Sequence, residues 1–140
     1  MDNLHTSVIT YLETHGRELE KAKYNYFFNG GSKDAIISAL KSYQNNDGGF
    51  AHALEPDFTT EESNPIDTWT AIKTMRLLDL PKNHPLIIDT LHYLDQTPYN
   101  ENGFYYYAIP SINDTPHAPW WHYNETRRIQ GYNPTASLVG

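Results

Sequence analysis

The sequence predicts an all-α protein built of helical-hairpin repeats. Three observations carry that prediction: apolar residues recur at helical spacing between polar loops, Ser and Asn-Pro caps open several of those stretches, and a Gln-to-Gly-Phe segment occurs twice. From the start of the chain, Leu4, Val8, Tyr11 and Leu12 fall on one helical face, with Gly16 as the stop. Residues 17–28 carry the stripe Leu19, Ala22 and Tyr26 and run into Gly30 and Gly31. Ser32 is placed to cap the next helix, with Asp34 in its first turn and Ile36, Ala39, Leu40 and Tyr43 as the buried stripe, and that helix is expected to end at Gln44.

Asn64 and Pro65 form the clearest helix start, because Asn accepts a backbone N–H at the cap and Pro suits the first helical position. Ile66, Trp69, Ile72 and Met75 then share one side. Another helix starts at Asn83 to Pro85, carries Ile87, Leu91 and Leu94, and ends near Gln96. Residues 102–132, dense in Gly, Pro, Asn and aromatics, read as a long ordered loop in which Tyr105 to Tyr107 is the one short strand candidate. A last helix start stands at Asn133 and Pro134.

Composition narrows the function classes. A net charge of -7 argues against nucleic acid or an anionic membrane surface as the main partner. No apolar run reaches the roughly 18 residues of a spanning helix, and Met1 to Thr10 lacks the form of a secretion signal, so the cytoplasm is the expected compartment. The absence of cysteine excludes disulfides, thiolate nucleophiles and zinc sites that need a thiolate. No cofactor is expected.

The repeat sets the architecture. Residues 40–50 read LKSYQNNDGGF and residues 91–104 read LHYLDQTPYNENGF; each is followed by Asn-Pro-x-x-Thr/Ser, at Asn64 to Thr68 and Asn133 to Ser137. The unit is a helix, a Gln/Gly/Phe corner, a loop and an Asn-Pro helix. Glycine permits the sharp corner, the aromatic plugs the gap beside it, and the glutamine amide is suited to bond the loop backbone.

Gln44, Asp47, Gly48, Gly49 and Phe50 resemble the Q-x-x-D-G-G-F part of the repeat found in squalene and oxidosqualene cyclases and, more loosely, in protein prenyltransferase β-subunits. With the later PHAPWW segment and the NPTASLVG helix start, the chain also resembles bacterial proteins carrying prenyltransferase and squalene-oxidase repeats. The second copy departs from the motif through a two-residue insertion and through Asn102 in place of the first Gly. This resemblance implies a partial α/α toroid whose aromatic cavity takes an apolar, isoprenoid-like ligand.

Class II cyclases protonate an alkene with the middle Asp of an Asp-x-Asp-Asp motif; laid on residues 64–68, the motif matches at Asp67 and Thr68, and Ile66 holds the donor position. Class II cyclisation is therefore expected to be absent, with Asp67 the one candidate acid and a helix-capping carboxylate its structural alternative. The prenyltransferase zinc site needs a Cys and cannot be assembled; His117, His122 and Glu125 lie close together but match no metal motif, so no metal ligand is assigned.

Glycosidase chemistry also occurs on α/α toroids and needs two carboxyl groups across a cleft, for which Glu55 and Asp57 are the chosen pair, against solvated loop charges as the alternative. Nineteen aromatic side chains leave Trp69, Trp120, Trp121 and Tyr106 as ligand-lining candidates, with loop packing as the competing role. Adjacent Trp120 and Trp121 are expected not both to face inward.

The function classes left open are an enzyme or binder of a small apolar isoprenoid-like ligand, a non-catalytic ligand- or protein-binding repeat, and a carbohydrate-active toroid binding a sugar-like ligand. The 52-residue spacing from Gln44 to Gln96 implies about 300 residues for a closed ring of roughly six hairpins. Residues 1–140 are accordingly expected to form a single domain that is the N-terminal part of a larger toroid, with self-association through an open hairpin face.

Overall fold

The computed structural model describes residues 2–139. It is mostly helical and divides into two compact units, Met1–Ser42 and Tyr43–Gly140. The first unit holds α1 (Asp2–His15), α2 (Glu18–Phe28) and α3 (Lys33–Lys41), with α2 packed on both of its neighbours. The second holds α4 (Pro65–Leu77), α5 (Pro85–Gln96), a two-stranded antiparallel hairpin of β1 (Asn100–Glu101) and β2 (Phe104–Tyr105), and α6 (Thr135–Val139); α4 packs against both α5 and α6.

The helix starts follow the capping chemistry. Ser32 Oγ accepts from the Ala35 amide at 3.2 Å and Asn64 Oδ1 from the Asp67 amide at 2.9 Å. At α5 the cap is His84, whose Nδ1 accepts from the Leu86 amide at 3.2 Å, with Pro85 in the first position. α3 ends at Lys41, three residues before Gln44, because Gln44 is drawn into an isolated bridge with Phe50.

Burial departs from the apolar stripes in instructive ways. On α1, Leu4, Val8 and Tyr11 of the stripe are exposed, and Leu12 is half-buried. On α5 the buried face is Leu86, Thr90, Tyr93 and Leu94, and Leu91 is 57% exposed. Counting apolar residues alone misses Thr90, which can be buried because its hydroxyl donates to the Leu86 carbonyl at 2.6 Å. α4 buries Pro65 through Thr68 without interruption, polar residues included.

Residues 102–132 are ordered by short 3-10 turns at Pro110–Asp114, Pro119–Trp121 and Glu125–Arg127. The strand is Phe104–Tyr105, ending before Tyr106, whose amide instead reaches the Tyr99 carbonyl at 2.9 Å. This long segment lies against residues 57–60: Ala118 N donates to the Asp57 carbonyl at 2.8 Å, Thr59 Oγ1 to the Pro116 carbonyl at 3.2 Å, and the Thr60 and Ser111 hydroxyls meet at 3.1 Å. Beneath it Phe58, Ile66, Ile109, Ile112 and Trp121 form one core cluster, each large side chain contributing about 1.5–3 kcal/mol by burial. A second cluster joins Tyr93, Leu94, Tyr105 and Leu138. Among the described residues, no helix is long and apolar enough to cross a membrane.

Candidate functional site

The junction between the 51–63 loop and α4 contains the one carboxylate that matches an acid motif. Asp67 has no solvent exposure. Its Oδ1 accepts from the Glu55 amide at 2.6 Å and its Oδ2 from Asn64 Nδ2 at 2.7 Å. The loop reaches this carboxylate through two consecutive left-handed residues, His52 at φ 64° and Ala53 at φ 58°. Asp67 thus ties the loop to the first turn of α4, where its charge also favours the helix dipole. Beside it, Ile66 is 1% exposed and belongs to the core cluster.

The other two candidate carboxylates stand on the same loop in different settings. Glu55 is half-buried, and its charge adds to the burial that pushes the Tyr107 hydroxyl above its ordinary pKa. Asp57 is exposed, and its backbone carbonyl serves the bond to Ala118.

The tryptophans separate as adjacent residues of a tight turn must. Trp121 is 7% exposed, stacked on Tyr107 at 4.6 Å and edge-on to Phe58 at 5.3 Å. Trp120 is 61% exposed. Trp69 is half-buried between the two core clusters, with Lys73 Nζ 3.9 Å from its ring centre, a cation–π contact of about 0.5–1 kcal/mol. Tyr106 packs against the first cluster and its hydroxyl accepts from Arg128 Nε at 3.1 Å. Arg128 in turn pairs with Glu101 at 2.6 Å and Glu125 at 3.0 Å.

Two phenols are held by carboxylates. Burial first, then the hydrogen bond to Glu62, pushes the Tyr99 hydroxyl well above its ordinary value. The hydrogen bond to Glu125 raises Tyr123 to about 12. His117 and His122 are brought together, with Nε2 and Nδ1 3.2 Å apart. Glu125 is engaged by Tyr123 and Arg128, and among the described residues no group of three or more His, Asp or Glu side chains is arranged to hold a metal ion.

Two cavities adjoin these residues. A groove of about 320 Å³ runs between α4, α5 and α6, walled by Ile72, Met75, Leu80, Ile87, Leu91 and Leu138. Arg76 and Asp79 add charge to its lining. A smaller pocket of about 200 Å³ lies in the long loop and includes Trp120. Of the four aromatic ligand candidates, Trp120 lines the loop pocket, and Trp69 packs beside Ile72 and the Leu138 cluster. Sequence periodicity puts Ile72 and Met75 on one side of α4 and Ile87 and Leu91 on α5, and all four line the groove, with Met75 buried, Ile72 and Ile87 half-buried and Leu91 exposed. Leu138 is contributed by the short α6, for which the sequence offers only its Asn-Pro start. No family model, curated protein or solved structure matches the chain.

Proposed function

We propose that the chain is part of an α/α toroid of the terpenoid-cyclase and prenyltransferase kind that binds an apolar, isoprenoid-like ligand and does not protonate it. The observation that carries this reading is the state of Asp67: a fully buried carboxylate whose two oxygens are taken by the Glu55 amide and the Asn64 side chain. An acid that must reach an alkene needs an open face toward the substrate and an available proton; Asp67 spends its acceptor capacity on backbone and side-chain donors. Ile66, at the position of the proton donor, is sealed in the core. Binding is supported by the apolar groove, whose 320 Å³ falls at the small end of ligand cavities and suits a short isoprenoid chain.

The test is titration with a polyprenyl alcohol and its diphosphate, read by tryptophan fluorescence, alongside product analysis. Saturable binding without cyclised or transferred product is expected. Leu91→Glu, at a position already 57% exposed, should leave the fold intact and weaken binding at least tenfold, a change of about 1.4 kcal/mol. Product formation that disappears in Asp67→Asn would overturn the non-catalytic half of the proposal. Fluorescence that never saturates, or binding indifferent to Leu91→Glu, would overturn the ligand half.

A further inference from the structure

The loop pocket has a chemistry unlike that of the α4/α5/α6 groove. Its walls include Tyr107, Trp120, His122, Asn124, Arg127 and Gln130, and among the described residues no Asp or Glu lines it. In a chain of net charge -7, this lining carries a guanidinium and no carboxylate. Arg127 makes no ion pair among the described residues; the neighbouring carboxylates Glu101 and Glu125 are committed to Arg128. Asn124 spends its Oδ1 on the amide and hydroxyl of Thr126, at 2.9 and 2.7 Å, which leaves its NH₂ available to donate.

His122 adds an acceptor. His117 Nδ1 lies 2.6 Å from the Thr115 carbonyl, so it must carry the proton; in the neutral pair His117 Nε2 then accepts from His122 Nδ1, at 3.2 Å. That chain of bonds fixes the tautomer of His122 and leaves its Nε2 as a lone pair on a pocket-lining residue. Trp120, 61% exposed and held after Pro119, supplies a flat apolar face. The set therefore comprises one cation, amide donors from Asn124 and Gln130, one imidazole acceptor and one aromatic platform, around a volume smaller than a drug-sized site.

We propose that this pocket binds a monosaccharide carrying an anionic group, phosphate or carboxylate. The ring's C–H face lies on Trp120, the anion meets Arg127 in the bidentate geometry guanidinium offers, and hydroxyls exchange hydrogen bonds with His122, Asn124 and Gln130. This assignment is independent of the apolar-ligand reading and uses different residues.

Calorimetric titration of the whole chain with glucose 6-phosphate, glucuronate, glucose and inorganic phosphate tests it. At least one charged sugar should bind tenfold or more tightly than both glucose and inorganic phosphate, and which of the two does so identifies the anion. Arg127→Gln should abolish the advantage over glucose, and Trp120→Ala should weaken the charged sugar about tenfold; both side chains are exposed, so neither change disturbs the core. Glucose binding as tightly as both charged sugars, inorganic phosphate matching glucose 6-phosphate, binding indifferent to either substitution, or no binding by any probe would each overturn the assignment.

Discussion

At the first corner of the repeat, Gln44 donates its side-chain amide to the Gly48 carbonyl at 3.1 Å and Phe50 is sealed from solvent. At the second, Gln96 is exposed and donates to its neighbour Asp95, and Phe104 is half-buried in a hairpin against Tyr132. The buried slot there belongs to the next residue, Tyr105, whose hydroxyl donates to the Leu94 carbonyl at 3.0 Å. One bond is common to both corners: the Phe50 amide donates to Thr68 Oγ1 at 3.2 Å, and the Tyr105 amide to Thr135 Oγ1 at 2.8 Å. The repeat persists as a buried aromatic anchored by its amide to a threonine at the start of the following helix, while the Gln and Gly-Phe letters are free to take other work.

Truncating the aromatics is the strongest way to break that comparison. Phe50→Ala empties a fully buried site and should cost about 3–5 kcal/mol, a large share of the stability of a domain this size. Phe104→Ala should cost no more than about 1 kcal/mol, because its ring is already in part hydrated. Tyr105→Ala should behave like Phe50→Ala. Chemical denaturation of the three variants checks the order; a Phe104 variant as damaged as the Phe50 variant would mean that the letters, and not the buried slot, define the repeat.

Glycine substitution sharpens the same contrast at the backbone. Gly48 sits at φ 88°, and an added Cβ would stand 2.2 Å from the Asp89 carbonyl oxygen, which is part of a helix and cannot swing aside. Gly103, at φ 83°, has open space around it. Gly48→Ala should therefore combine left-handed strain with overpacking and cost about 3 kcal/mol or more, while Gly103→Ala bears only the strain, about 1 kcal/mol. Gly103→Asn should be close to neutral, since Asn tolerates this conformation and Asn102 already occupies φ 53° beside it. Equal losses at Gly48 and Gly103 would remove the distinction between a packed corner and a free hairpin.

How much of this was legible in the sequence depended on whether one residue type could do the job alone. The caps at Ser32 and Asn64, the glutamine bond to the first corner and the burial of Phe50 each follow from local chemistry and were readable. The face of α5 was not, because Thr90 reads as polar until its hydroxyl is bonded within the helix. Asp67 was readable as a capping-turn residue, but the Glu55 amide that completes its surroundings depends on a loop carrying two positive φ angles at His52 and Ala53, residues without the glycine that normally announces them. The loop pocket is the least legible part: Trp120 and His122 stand out in the sequence, whereas Asn124, Arg127 and Gln130 belong to no periodic pattern and meet through the turns at 119–121 and 125–127.

The subtlest difference between the two halves of the repeat is how the following loops are held. Each loop has a phenol bonded to one of its carboxylates, Tyr99 to Glu62 after the first corner and Tyr123 to Glu125 after the second; burial is the first cause of the rise of Tyr99, and for Tyr123 it is the bond to Glu125. That bond is the first cause of the rise of Tyr123 to about 12, since losing the phenolic proton would set two anions face to face. The folded value lies above the ordinary 10, so the contribution of this bond is complete below pH 10 and is lost as pH rises through about 12. Tyr93, beneath the first corner, is pushed higher still, mainly by burial, so it should remain protonated after Tyr123 has ionised. Tyrosinate absorbance of the chain minus that of Tyr123→Phe should isolate a transition near pH 12, and Glu125→Gln should bring it back toward 10. A Tyr123 that titrates at its ordinary value in the unaltered chain would mean that the Glu125 bond does not hold the second loop, and that the phenol–carboxylate fastening belongs to Tyr99 and Glu62 of the first loop alone.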